Sequence, residues 1–217
     1  MSTTPPLFIL SSERSGTNLL RVMLAAHSRI ASPPPSGMVV ALKPAMEAVK
    51  ANGGPVPRKV FLEYAVALTQ THLNPWEPEP KIEDLGPLLP DEPTFWQVFG
   101  ALNASYLTNR NADHWATKEP GLIRHVAEII DAFPSAHIIF LVRDGRDVAI
   151  SMTKKQLHAK TIRMAIARWR DEQRIMLDYL SKGDQKAQIH TLRYEDLITS
   201  PRESLQPILE SINLEFE

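Results

Sequence analysis

The chain has 217 residues, 43% of them hydrophobic and 23% charged, the profile of a globular protein long enough for one sizeable core. Its formal net charge of -1 supplies no global field for nucleic acid or an acidic membrane, so an anionic ligand needs a local basic site. The lack of cysteine excludes disulfides and thiolate metal sites, and no apolar run approaches the roughly 20 residues that cross a bilayer. With neither a basic leader nor a long apolar stretch at the N-terminus, a cytoplasmic location is expected.

Leu7-Phe8-Ile9-Leu10 is short and wholly apolar, which reads as a strand buried on both faces. A turn, Ser11 to Gly16, leads into a helix from Thr17 to His27 with Leu20, Met23, Leu24 and His27 on one face. Pro33-Pro34-Pro35-Ser36-Gly37 breaks the chain. Helical patterns follow (Val60, Phe61, Tyr64, Ala65, Leu68, then Phe95, Phe99, Leu102, Tyr106), interrupted by prolines at 75, 78, 80, 87, 90 and 93. Too broken to hold a core of its own, the stretch of about 36–111 is expected to be a mostly helical insertion in a single domain, 1–217.

Strand and helix alternate again from His114. Trp115 to Lys118 reads as a short strand closed by Glu119-Pro120-Gly121, and Leu122, Val126, Ile129, Ile130 and Phe133 mark a helix ending at Pro134. His137 to Val142 is a second strong strand, with a helix from Asp147 onward. Thr161 to Leu180 is a long amphipathic helix with Ile162, Ala165, Ile166, Trp169, Met176, Leu177 and Leu180 in phase, and Gln188 to Leu192 is a third strand. Ser200-Pro201-Arg202-Glu203 has the composition of an N-cap, a first-turn proline and a capping box, and Pro207 is expected to kink the helix that follows. The alternation predicts an α/β fold with a parallel sheet covered on both faces.

Two turns carry the chemistry. In Ser11-Ser12-Glu13-Arg14-Ser15-Gly16-Thr17-Asn18, a helix N-terminus offers unpaired N–H groups and the positive end of its dipole, Gly16 lets the backbone come close, and Ser15 and Thr17 add hydroxyls. Arg14 adds a planar fork for oxyanions. Triphosphate loops place a lysine here beside a Mg²⁺-binding hydroxyl; that lysine is missing, so the turn suits a less charged group that needs no metal. The second turn follows Ile138-Ile139-Phe140-Leu141-Val142. Arg143 stands at a strand's carboxyl end, where parallel sheets bind ligands, and Ser151 lies one helical turn past Asp147, so the two suit a phosphate. Arg146 and Asp147 read as a salt-bridged surface.

Together, "SSERSGTNLLR" and "LVRDGRDVAIS" resemble the two cofactor signatures of sulfotransferases that use 3′-phosphoadenosine 5′-phosphosulfate (PAPS). "WATKEP" resembles the lysine-bearing strand end between them, and "LRYEDLITSPRESL" the later strand-to-helix segment, so the similarity runs from Leu7 to about Phe216. It is closest to bacterial and tyrosylprotein-type members. The resemblance implies a three-layer α/β/α fold like that of P-loop kinases, with PAPS as co-substrate and no metal. It assigns Arg14, Ser15, Gly16, Thr17 and Asn18 to the 5′-phosphosulfate, Arg143 and Ser151 to the 3′-phosphate, and Tyr194 to a position near the nucleotide. It makes Arg14 and Lys118 the catalytic cations.

Two departures stand out. The segment Ile30 to Ser36 lacks the glutamate that tyrosylprotein-type members carry after the first helix, which leaves the general base open between Glu119 and His72. The chain also ends at Glu217, before a segment with which many members close over the nucleotide, so it is expected either to be truncated or to complete its site differently. The acceptor is open among small molecules, carbohydrates, lipids and peptides; nucleic acid is not expected. A PAPS-binding protein without efficient turnover and a P-loop kinase are the alternatives.

Overall fold

A computed structural model describes residues 4–55, 57–71, 74–154, 159–182 and 188–217. The apolar run Leu7–Leu10 is the first strand, β1, fully buried as its composition requires. A helix, α1 (Thr17–Ala26), leads to a two-residue strand, β2 (Ile30–Ala31). Four helices follow: α2 (Met38–Ala51), α3 (Arg58–Gln70), α4 (Ile82–Leu85) and α5 (Phe95–Asn109). β3 (His114–Thr117) runs through a 3-10 turn, Leu122–His125, into α6 (Val126–Ala132). Then come β4 (His137–Val142), α7 (Gly145–Lys154), α8 (Ile162–Ser181), β5 (Gln188–Arg193), α9 (Tyr194–Thr199) and α10 (Pro201–Glu210).

The strands form one parallel sheet in the order β2-β3-β1-β4-β5. β1 lies at the centre, with Leu7 opposite both Ala116 of β3 and His137 of β4. Because successive side chains on a strand face opposite ways, β1 feeds two cores. Phe8 and Leu10 join Trp115, Ile138 and Phe140 in a large cluster that includes apolar residues of α2, α3, α5 and α6. Leu7 and Ile9 join Ala116, Ile139 and Leu141 against α1, α9 and α10. The helices between β2 and β3 therefore share a core with one face of the sheet. No helix among the described residues is long and apolar enough to cross a membrane.

The structure departs from the sequence reading in three places. β2 and α9 were not anticipated, because a two-residue strand and a six-residue helix leave no periodic signal. The capping box forms at Thr94 and Gln97, before α5, where both reciprocal bonds are present. It does not form at Ser200, whose backbone N–H is already spent closing α9 on the carbonyl of Asp196 at 2.8 Å. The inner face of α8 is also not the apolar stripe expected: Ile162, Ile166 and Leu177 are exposed, while Ala165, Glu172, Gln173 and Met176 are buried.

Candidate active site

The first turn is shaped by two residues in the left-handed region, Arg14 at φ 69° and Gly16 at φ 93°. Gly16 caps α1 without a side chain and no acid stands in the helix's first turn, so its leading N–H groups and positive dipole end are left for a ligand. The bare side of Gly16 meets an aromatic ring: a Cβ there would lie 2.3 Å from Cδ2 and Cε2 of Tyr194. Ser15 is fully buried, and its hydroxyl has no hydrogen-bond partner. The turn is held to the sheet by Ser11, whose hydroxyl donates to the carbonyl of Leu141 at 2.5 Å.

The second turn folds onto the first. Arg143 Nη1 donates to the carbonyl oxygen of Arg14 at 3.0 Å, and its guanidinium lies 4.4 Å above the Tyr194 ring. Arg143 Nε is buried and unpartnered, with Asp147 at 4.0 Å from its Nη2. Arg14 Nε in turn donates to the hydroxyl of Ser151 on α7 at 3.1 Å. Arg146 instead points into solvent and pairs with Asp144 at 2.6 Å, as its surface reading implied. Hydrogen bonds from Arg146 hold the Asp144 carboxyl at about 2.

Between the turns opens a cleft of about 630 Å³. Arg14, Gly16, Thr17, Asn18 and Arg143 line it with Lys118, the residue just beyond β3, while Val40 and Pro120 give it an apolar lip. Burial pushes Lys118 below the ordinary lysine value; Arg21 and Arg14 push the same way, against Glu119 and Glu13. Glu119 is 5% exposed and spends both carboxylate oxygens on the start of α2. It accepts from the Ser36 backbone N–H at 2.5 Å, the Ser36 hydroxyl at 2.7 Å and the Gly37 N–H at 2.7 Å. Burial raises its pKa and these bonds oppose the rise. As a general base it is poorly placed, since it braces the proline-rich turn rather than facing the cleft. The other candidate base, His72, lies outside the described residues.

Buried, unpartnered donors at both turns, with cations on three adjacent strand ends, describe a site for a ligand with more than one anionic group. Residues 5–217 match the sulfotransferase family. The chain belongs to that family. Its fold is that of the sulfotransferase domain from the curacin biosynthetic pathway (25% identity, TM-score 0.65, covering all of this chain and 76% of that one). It is equally that of the sulfotransferase domain of the Synechococcus PCC 7002 olefin synthase (24% identity, TM-score 0.66, 100% and 75% covered). A sulfotransferase from Mycobacterium avium matches more distantly, at 17% identity and a TM-score of 0.56, over 100% of this chain and 66% of that one. No curated protein matches.

In this sulfotransferase the cleft gathers Arg14, Gly16, Thr17, Asn18, Lys118 and Arg143 along its wall. Ser151 and Tyr194 stand behind that wall, contacting Arg14, Arg143 and the space beside Gly16. Sequence reasoning missed Arg21, which donates to Asn18 Oδ1 at 3.2 Å and to the carbonyl of Ser32 at 2.8 Å. Its spacing of three from Asn18 on α1 was the available signal. It also missed Glu13, which lines the cleft and pairs with Arg168 of α8 at 3.1 Å.

Proposed function

We propose that this sulfotransferase moves a sulfuryl group from PAPS to a hydroxyl or amine acceptor by in-line transfer, without a metal ion. The observation that carries the reading is that Arg14, Lys118 and Arg143 line one cleft at the ends of three adjacent strands. The orphaned Ser15 hydroxyl and Arg143 Nε fit the same reading, since buried donors without partners are expensive unless a ligand satisfies them.

The donor supplies an activated S–O bond and two anionic ends. The free N–H groups of α1, with Ser15, Thr17 and Asn18, hold the phosphosulfate end; Arg143 and Ser151 hold the 3′-phosphate. Tyr194 fixes the Arg143 guanidinium by cation–π contact. As the acceptor's lone pair forms the new bond to sulfur, the old bridging pair passes to the phosphate oxygen. Lys118 and Arg14 meet the charge that builds there, and losing one such group commonly costs on the order of 10²–10³ in rate. Residues 36–111, read as the acceptor-side insertion of a single domain, supply the opposite wall through Val40.

Calorimetry with adenosine 3′,5′-bisphosphate (PAP), AMP and ATP, followed by turnover of PAPS in the presence of EDTA, tests the proposal. PAP should bind tightest and turnover should survive EDTA. Tighter binding of ATP with Mg²⁺, or strict Mg²⁺ dependence, would point to kinase chemistry instead.

A further inference from the structure

α8 buries polar side chains where its amphipathic pattern leaves room for apolar ones. Glu172 is 3% exposed and Gln173 7%, while Ile162, Met164, Ile166 and Leu177 of the same helix face solvent. A buried carboxylate is costly to desolvate, and an apolar residue of similar volume is often no less stable in its place. The bonds these residues make give a reason for them other than stability. Glu172 Oε1 accepts from Arg124 Nη2 at 2.9 Å and from Arg168 Nε at 3.2 Å. Arg168 turns its Nη2 to Glu13 Oε1 at 3.1 Å. Gln173 donates to the buried hydroxyl of Ser12 at 2.9 Å. One turn earlier, the ring of Trp169 lies 2.9 Å from where a Cβ on Gly145 would stand.

Every segment touched in this way adjoins a cation of the cleft. Ser12 and Glu13 lead into Arg14; Gly145 closely follows Arg143; Arg124 sits in the 3-10 turn that follows Lys118. A single oxygen of Glu172 receives both guanidinium groups, one from the Lys118 side and one bonded to the Arg14 turn. We propose that Glu172 is a positioning residue for sulfuryl transfer: through Arg124 and the Arg168–Glu13 pair it sets the Lys118 strand end against the turn that carries Arg14. The inference rests on the reading of this site as one that takes PAPS. Glu172 touches no reacting atom, so its whole effect passes through the alignment of the two cations.

The test uses the full chain, ³⁵S-labelled PAPS and water as acceptor, with sulfate release followed in a single turnover and PAP affinity measured by calorimetry. Glu172→Met keeps the volume and removes the oxygen that receives both guanidinium groups. It should slow release by about 10- to 100-fold, the cost of a shift of up to roughly 1 Å in the reacting geometry, with PAP affinity little changed. In a Lys118→Ala background the further loss should shrink to about threefold or less, because groups that act as a unit are not additive. Unchanged release in Glu172→Met, or an equal loss in both backgrounds, would overturn the positioning role. Should Glu172→Met fail to fold, Arg124→Gln, at a side chain 52% exposed, carries the same pair of comparisons. A wild-type chain that binds no PAP would overturn the donor reading and this role with it. Binding and turnover in the wild type, with a silent Glu172→Met, would overturn the role alone.

Discussion

Arg14 and Ser151 stand 137 positions apart in the chain and meet through a 3.1 Å hydrogen bond from Nε to Oγ. Arg143 closes the loop by donating to the Arg14 carbonyl at 3.0 Å. The two turns are therefore one structure, and a substitution in either is felt in both.

Arg143→Ala removes a cation, its bond to Arg14 and its stack on Tyr194 together. By calorimetry the variant should lose most of the preference for PAP over AMP, a drop of about tenfold or more for a charge-assisted contact. Equal affinity of the wild type for the two nucleotides would remove the 3′-phosphate from the assignment.

Lys118→Ala should lower the catalytic constant by roughly 10²-fold while PAP affinity changes little, since the cation gains most as charge builds in the transition state. Lys118→Arg should recover charge without the point geometry and stay impaired. Burial lowers the Lys118 pKa from the ordinary 10.5, so turnover should fall on an alkaline limb below that value if the charged form is the one at work. In Lys118→Arg that limb should move upward, because a guanidinium does not titrate there. A pH–rate profile that leaves the limb in place would assign it to another group.

Glu119→Gln should leave turnover within a few-fold of the wild type, because the carboxylate serves Ser36 and Gly37. Glu119→Ala strands those donors, and each buried one costs about 1–3 kcal/mol, so its melting temperature should fall while PAP still binds. A fall in turnover of about 10²-fold or more in Glu119→Gln, at unchanged melting temperature, would restore it as the base.

At the far end of the sheet His137 Nδ1 lies 3.3 Å from His190 Nε2 and 3.0 Å from Ser211 Oγ. Burial, with His190 and His114 nearby, pushes His137 down to about 4. Burial also lowers His190 and His114. The fold thus favours the neutral rings: the stability they allow is complete above the unfolded value of about 6.5 and drains as pH falls through the folded value. Thermal melts should show the melting temperature dropping between pH 7 and pH 4.5, with a shallower drop in His137→Asn. Parallel slopes would clear this cluster of responsibility for acid sensitivity.

The sheet was legible wherever burial on both faces wrote an uninterrupted apolar run, as at Leu7–Leu10 and His137–Val142. β2 was not, because Ile30 and Ala31 become a strand only by pairing with His114 and Trp115, far away in sequence. Lys118 and Arg143 were legible because each sits immediately past a strand and so inherits its position from the sheet, and Arg14 because it lies in the short turn between β1 and α1. Their partners were not. The pairing of Glu13 with Arg168, and of Gln173 with Ser12, crosses from one element to another and leaves no mark on local periodicity. For the same reason hydropathy along α8 misjudged its inner face, since a buried Glu counts as surface on any scale that sees one residue at a time.

With β1 between β3 and β4, Lys118 and Arg143 leave strands two steps apart, about 10 Å at the usual inter-strand spacing. The sheet acts as a ruler whose graduation is the strand repeat itself, indifferent to side-chain rotamer or loop sequence. A mononucleotide with a single charged end can engage only one mark on it. Strand order thus sets the spacing at which two anions can be held, while the cations at the strand ends decide whether they are.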